Sequence, residues 1–219
     1  MKRILITTLC ILAITHSVAI ASDFSRFFGG CSWTGTFELD LDDLNSILVT
    51  NQYNPLDVKI TMTGGYGTAG TLNWNLGGWG GTGKATSIKG NKEVLFSVQM
   101  GGVHVERITT LGSSLILTGG VMVGGGTAHM VLRNKVAQSD LDTIIATPTE
   151  NQITSEFFTL APTIGLRLKL TPCIWLQAQG AYFISAGEWK FQKNAVTGMP
   201  RIEGSAIQTG LIWGSLIDF

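Results

Sequence analysis

The sequence predicts an antiparallel up-and-down β-barrel of about eight strands, with one short helix in the first long connection. Three observations carry the prediction. Apolar residues recur at every second position over most of the chain, which gives each strand one apolar and one polar face. Glycine, proline and asparagine separate the alternating runs, as turn residues do between strands. Charged residues make up only 14% of the chain, against about 25% in ordinary soluble domains, and there are 28 glycines with a mean hydropathy of +0.27. The 219 residues suit one domain, and the zero net charge removes the electrostatic case for a nucleic-acid partner.

At the N-terminus, Lys2-Arg3 precede the apolar run Ile4 to Ile14, and Ala19-Ile20-Ala21 fits a small-x-small cleavage site. Residues 1–21 therefore read as a secretory signal peptide and 22–219 as a single barrel domain. Cys31 and Cys173 would then stand in an oxidising compartment.

The first strand is Trp33 to Leu41, with Trp33, Gly35, Phe37, Leu39 and Leu41 alternating against Thr34, Thr36, Glu38 and Asp40. Asp42 to Tyr53 changes to helical spacing, with Leu44, Ile47 and Leu48 on one side and Asp42 available as N-cap. Val58 to Gly67 and Thr71 to Gly81 form a hairpin around Thr68-Ala69-Gly70, a register that sets Tyr66 opposite Leu72. Glu93 to Thr109 and Ser114 to Arg133 form the next, and a Gly112-Ser113 turn pairs even residues of one with odd residues of the other. Val94, Phe96, Val98 and Met100 then share an outward face with Leu115, Leu117, Val121 and Val123.

The clearest hairpin runs from Glu156 to Gln192. Phe158, Leu160, Ile164, Leu166, Leu168 and Leu170 alternate with Thr159, Ala161, Thr163, Gly165, Arg167 and Lys169. Ile174, Leu176, Ala178, Gly180, Tyr182 and Ile184 alternate with Gln177, Gln179, Ala181 and Ser185. A loop of Thr171-Pro172-Cys173 pairs Leu170 with Ile174 and puts both apolar faces on one side. Ser205 to Phe219 closes the set, with Ile207, Leu211, Trp213, Ile217 and Phe219 on the apolar face. Links 2–3, 4–5 and 6–7 read as tight turns and the other links as longer, so short turns gather at one rim and long connections at the other.

The final strand ending in Phe219 and the run LAPTIGLRLKLTPCIWLQAQGAYF resemble small outer-membrane β-barrel proteins. The run GGYGTAGTLNWNLGGWGGTG is similar to exported Gly-rich proteins of bacteria with two membranes. The resemblance implies a barrel in the outer membrane, with lipid and the barrel-assembly machinery, through the strand ending in Phe219, as partners. It brings no catalytic residues with it. Several inward faces are less polar than a water-filled lumen requires.

Gly65-Tyr66-Gly67-Thr68-Ala69-Gly70 and Gly78-Trp79-Gly80-Gly81-Thr82-Gly83 both satisfy G-x-G-x-x-G, and Gly78 to Lys84 imitates a phosphate loop with Ala85 in place of Ser or Thr. Both chemistries need a strand–loop–helix setting. Here strand-like sequence surrounds the glycines, which instead relieve crowding where strands bend in a narrow barrel. His104 and His129 fall about eight ladder positions apart, on the order of 25 Å, so they share no metal, and Cys31 and Cys173 lack zinc-site spacing. By parity Glu38, Asp40, Arg107, Arg167, Lys169 and Asp218 face inward, where Gln177 and Gln179 would join them in an ion-pair and hydrogen-bond network; solvated strand-end charges are the alternative. A Cys31–Cys173 disulfide stays open, because strands 1 and 7 would lie about 10 Å apart and a bridge tolerates Cα separations only to roughly 7 Å.

The reading is a small outer-membrane barrel with a side-chain-filled lumen and a structural, adhesive or sensing role, without enzyme activity, cofactor or metal. A soluble exported barrel or sandwich binding an apolar ligand is the alternative, and a lipid-acting outer-membrane enzyme the third.

Overall fold

The computed structural model describes residues 27–71, 73–134, 150–196, 199 and 201–216. The signal-peptide residues 1–21, Leu72, Asp218 and Phe219 lie outside them. The strands are β1 (Phe27–Leu39), β2 (Lys59–Gly70), β3 (Trp74–Lys89), β4 (Lys92–Thr110), β5 (Leu115–Asn134), β6 (Glu150–Thr171), β7 (Ile174–Phe191), the two-residue β8 (Asn194–Ala195) and β9 (Gly204–Leu216), and helix α1 (Asp42–Thr50) follows β1. All strand pairings are antiparallel in the order β6-β5-β4-β3-β2-β1-β9-β7, and β6 pairs with β7 to close the ring of eight long strands.

The register fixes the size of the barrel. Following partners from Phe158 through Gly125, Gly101, Gly80, Gly65, Ser32, Leu211 and Leu176 returns to β6 at Leu168, ten residues further along the same strand. Eight strands with a shear of ten tilt by roughly 40° and enclose a radius of about 8 Å, a lumen that side chains fill.

Glycine makes the tight curvature feasible. A Cβ on Gly64 would lie 2.5 Å from Trp33 Cζ2, and one on Gly81 would lie 2.6 Å from Trp33 Cη2. The Trp33 indole thus lies over two bare stretches of backbone. Gly81→Val is expected to lower stability by about 1–3 kcal/mol through overpacking. Denaturant unfolding in lipid vesicles measures it, and a change within about 0.5 kcal/mol would remove the steric role of Gly81.

Three hairpins differ from expectation. β2 runs on to Gly70 and β3 begins at Trp74, and Tyr66 pairs with Trp79 instead of Leu72. Thr71 Oγ1 accepts hydrogen bonds from the backbone N–H groups of Asn73 (3.2 Å) and Trp74 (3.1 Å), which holds the chain reversal there. In the β4–β5 pair Thr110 faces Ile116, so even residues meet even residues, and Val94, Phe96 and Val98 point inward, fully buried. The β3–β4 link is a tight turn, not a long connection, because β3 continues to Lys89 and reverses at Gly90, whose φ of +59° suits glycine. In β6–β7 the expected parity holds, with Leu168 opposite Leu176. A bulge between Lys169 and Thr171 absorbs one residue at the tip and leaves Pro172-Cys173 as the turn.

The apolar faces of β1, β2 and β4 therefore point into the barrel and form a packed core in its long-connection half, around Phe37, Ile60, Met62, Phe96, Met100 and Phe183. Helix α1 caps that core with Leu44 and Leu48, one turn apart. Leu41 rather than Asp42 is its N-cap residue, and it ends at Thr50, short of Tyr53. Asn45 pins the following segment by donating to Leu56 O (3.1 Å) and accepting from Leu56 N (2.8 Å).

Candidate functional site

The lumen changes character toward the short-turn rim. Alternation places His104 and Glu106 of β4 on one inward face, and likewise Gln177 and Gln179 of β7. Tyr66 of β2, Asn75 of β3 and Arg167 of β6 point at the same region. Arg167 and Glu106 are 2% and 1% exposed, a depth at which a charge needs a partner. Each has one: Arg167 Nη2 donates to Glu106 Oε1. Arg167 Nε also donates to Gln177 Oε1 (2.9 Å), and Nη2 to the Tyr66 hydroxyl (3.2 Å). The Tyr66 hydroxyl donates to Gln177 Oε1, Asn75 Nδ2 to Glu106 Oε1 (3.1 Å) and Gln177 Nε2 to Gln179 Oε1 (2.9 Å). His104 Nε2 stands 3.5 Å from Glu106 Oε2, and its ring packs edge-on against Tyr66. The cluster ties β2, β3, β4, β6 and β7 together across the barrel.

The sequence-predicted residues divide. Arg167, Gln177 and Gln179 meet in this cluster. Lys169 lies nearer the rim, its Nζ 5.6 Å from the centre of the Trp175 ring. Glu38, Asp40 and Arg107 are corrections: all three are exposed and none faces inward. Asp40 lies past the end of β1, and for Glu38 and Arg107 the reason is strand parity. Trp33, Phe37 and Leu39 occupy the lumen side of β1, which turns Glu38 outward, and His104 and Glu106 occupy that of β4, which turns Arg107 outward. Tyr66, Asn75, His104 and Glu106 were missed. The i, i+2 spacing of His104 and Glu106 was the available signal, but the one-residue register error placed their face outside.

His129 is half-buried on the outer surface with Gln152 Nε2 3.4 Å from its Nδ1. Paired positions put it seven ladder steps from His104, with His104 opposite Met122 and His129 opposite Ser97. Among the described residues no three His, Cys, Asp or Glu side chains gather where they could hold a metal ion. The first glycine motif lies within β2 and the second within β3, with no helix start beside either. Cys31 is buried in the lumen and Cys173 exposed in the β6–β7 turn, both as free thiols. Alkylation of the folded protein is expected to label Cys173 alone and to reach Cys31 only after unfolding. Intact mass reads the number of groups added, and an unreduced protein that takes none would reinstate the disulfide.

Above the polar cluster the apolar core leaves a gap of about 10 Å³ beside Trp33, Phe37, Met62 and Phe183. That is at the lower limit for one water molecule. The bulky aliphatic side chains Ile164, Leu166, Ile184 and Ile207 are exposed on the outside and line no internal cavity.

No protein-family model matches the chain, and no curated protein matches its sequence. Solved structures do match. Ail, the attachment invasion locus protein of Yersinia pestis, in a crystal structure with the heparin analogue sucrose octasulfate, is 12% identical with a TM-score of 0.52, covering 87% of this chain and 99% of that one. The outer membrane protein OprG from Pseudomonas aeruginosa is 11% identical with a TM-score of 0.53, covering 89% and 98%. At this identity the likeness speaks for the fold: a closed eight-stranded barrel like those of these small outer-membrane proteins.

Proposed function

We propose that the protein is a small barrel of the outer membrane, with a blocked lumen, that presents its long-connection rim as a structural or adhesive surface and has no enzyme activity. The observation that carries this is the outer surface. Phe158, Leu160, Ile164, Leu166, Leu168 and Leu170 on β6 are all at least 40% exposed, and Ile174, Leu176, Tyr182 and Ile184 continue the band on β7. In water this would be a very large apolar patch for a monomer. From Phe158 to Leu170, at the tilt of this barrel, the band is roughly 25–30 Å tall, matching the lipid-facing belt of outer-membrane barrels. Glu156 and Glu188 lie just beyond its upper edge. Among the described residues no helix is long and apolar enough to cross a membrane, so the strands would do so.

The rim above the band supports presentation of a surface. Lys92 Nζ donates to Asn51 O (2.8 Å) and lies over the Tyr53 ring, and Asn54 Nδ2 donates to Ile88 O (2.8 Å), which ties the segment after α1 to the β3–β4 turn. Arg133 bridges Glu93 (3.6 Å) and Glu150 (2.9 Å). Ail, an attachment invasion locus protein by name, makes adhesion the reading to test first. Cell fractionation tests the location, and recovery of folded protein from the soluble periplasm would overturn it. Loss of cell attachment on deletion, with the barrel intact in complemented cells, tests the role.

The tryptophans give a finer check. Trp74 and Trp213 are each 53% exposed on the outer face near the short-turn rim, where an aromatic girdle belongs. Trp33, Trp79, Trp175 and Trp189 are buried inside, so Trp33 and Trp175 do not join that girdle. Lipids brominated near the headgroup are expected to quench Trp74 and Trp213 and spare the other four. Quenching lost in Trp74→Phe/Trp213→Phe supports the assignment, and quenching that survives both changes refutes it.

A further inference from the structure

The outer surface is not uniform around the barrel. On β5, β6 and β7 it carries bulky aliphatic side chains, but on β1 and β2 it carries hydroxyls and charge. Thr34 faces Thr63, Thr36 faces Thr61 and Glu38 faces Lys59 across the β1–β2 ladder, all exposed and all pointing outward. On the other flank Ser205 and Thr209 of β9 lie beside Glu38 and Thr34. These side chains border an open groove of about 520 Å³ on the outside of the barrel. Its floor is Gly35 backbone and short side chains, and Ile207, 69% exposed, stands at its edge.

This arc cannot be left to lipid as readily as the rest. Hydroxyls gain nothing from hydrocarbon, and a charged side chain at the edge of the apolar belt seeks a polar or ionic partner. Glu38 and Lys59 are register partners, yet among the described residues neither makes an ion pair within the chain. Side by side on one rung of the ladder, they form a pattern that is complementary to itself. A two-fold axis along the membrane normal between β1 and β2 sets β1 of one copy against β2 of the other. Glu38 of each copy then meets Lys59 of its mate, the reciprocal pairing that an isologous interface requires. Below that level the tilt of the strands brings β9 to the axis, and Ile207 meets its own symmetry mate beside the groove.

We propose that the β9–β1–β2 face docks a second copy of this chain, through crossed Glu38–Lys59 ion pairs and a central Ile207 contact. The inference rests on the membrane reading above. The charge pattern selects the second copy over an anionic lipid headgroup, because Glu38 would repel a phosphate placed on Lys59.

The test uses the full barrel purified from outer membranes in detergent. Light scattering coupled to size exclusion is expected to give twice the chain mass. Glu38→Lys and Lys59→Glu each set like charges across the interface twice over and are expected to give the monomer. The combined Glu38→Lys/Lys59→Glu exchange restores opposite charges and is expected to recover the dimer. In a Cys173→Ser background, Ile207→Cys and Thr36→Cys are expected to form disulfide-linked dimers in native membranes, whereas Val121→Cys on β5 is not. Heat-modifiable migration on gels confirms that each variant is folded. Monomer mass for the folded parent, with no cross-link at Ile207 or Thr36, overturns the proposal and leaves the membrane reading standing. Monomer mass with phosphate retained on the parent and lost in Lys59→Glu overturns it in favour of a lipid headgroup. Folded protein found only in the soluble periplasm removes the membrane reading itself.

Discussion

Replacing Arg167 by methionine is expected to lower unfolding free energy by about 3–5 kcal/mol, the cost of leaving one member of a buried ion pair without the other. Glu106 is 1% exposed and its Oε1 atom receives both Arg167 and Asn75, so removal of the guanidinium strands a carboxylate in the barrel interior. Tyr66 and Gln177 each lose a partner as well. The pair itself adds little net stability, since desolvation offsets most of the attraction. The double variant Arg167→Met/Glu106→Leu is therefore expected to recover much of the loss. Urea unfolding in lipid vesicles, followed by tryptophan fluorescence, measures both. A single variant within about 0.5 kcal/mol of the parent would mean that water reaches the cluster and the lumen is open.

That experiment bears on function as well as on folding. Among the described residues a charge cluster spanning five strands fills the lower lumen and an apolar core fills the upper. Activity would then belong to surfaces: the long-connection rim for contact with the outside, and the outer face for contact within the membrane. The cluster would act as a staple that keeps the narrow barrel in one register.

Strand identity was legible wherever side chains mark the faces. On β6 and β7 most outward positions are large, with Ala178 and Gly180 the small ones on β7, so parity, register and the outward side follow from the pattern, and the bulge between Lys169 and Thr171 leaves them unchanged. On β2, β3, β4 and β5 they do not. Gly64-Gly65, Gly80-Gly81, Gly101-Gly102 and Gly124-Gly125-Gly126 occupy both faces of their strands in succession. A residue without a side chain does not record which way it points, and a one-residue slip then reverses every assignment beyond it. The β4–β5 hairpin was misread in this way, and His104 and Glu106 were lost from the site with it. The second error was physical. An apolar face was equated with lipid, whereas a barrel of eight strands has an interior packed like any core. For β1 and β2 the hydroxyl-bearing face was the outer one.

Ile164→Arg is expected to cost roughly 2–4 kcal/mol in lipid, the penalty for a cation near the midplane of an outer-membrane barrel. Ile164 is 64% exposed, faces outward and sits midway between Phe158 and Leu170 on the apolar band. Its neighbour Thr163 points inward, opposite Gly120 on one side and Ala181 on the other. Thr163→Arg is expected to destabilise by a different route, crowding a small-residue part of the lumen at a cost of about 1–3 kcal/mol. The two substitutions separate membrane from water because their costs respond differently to the solvent. If the barrel stood in water, Ile164→Arg would replace an exposed apolar side chain with a soluble one and change stability by no more than about 0.5 kcal/mol. Thr163→Arg would still be costly, since the lumen is the same in either setting. Urea unfolding of both variants in vesicles decides between the readings. A large loss for both places the band in lipid, and a loss confined to Thr163→Arg would make this outer face one that water can wet.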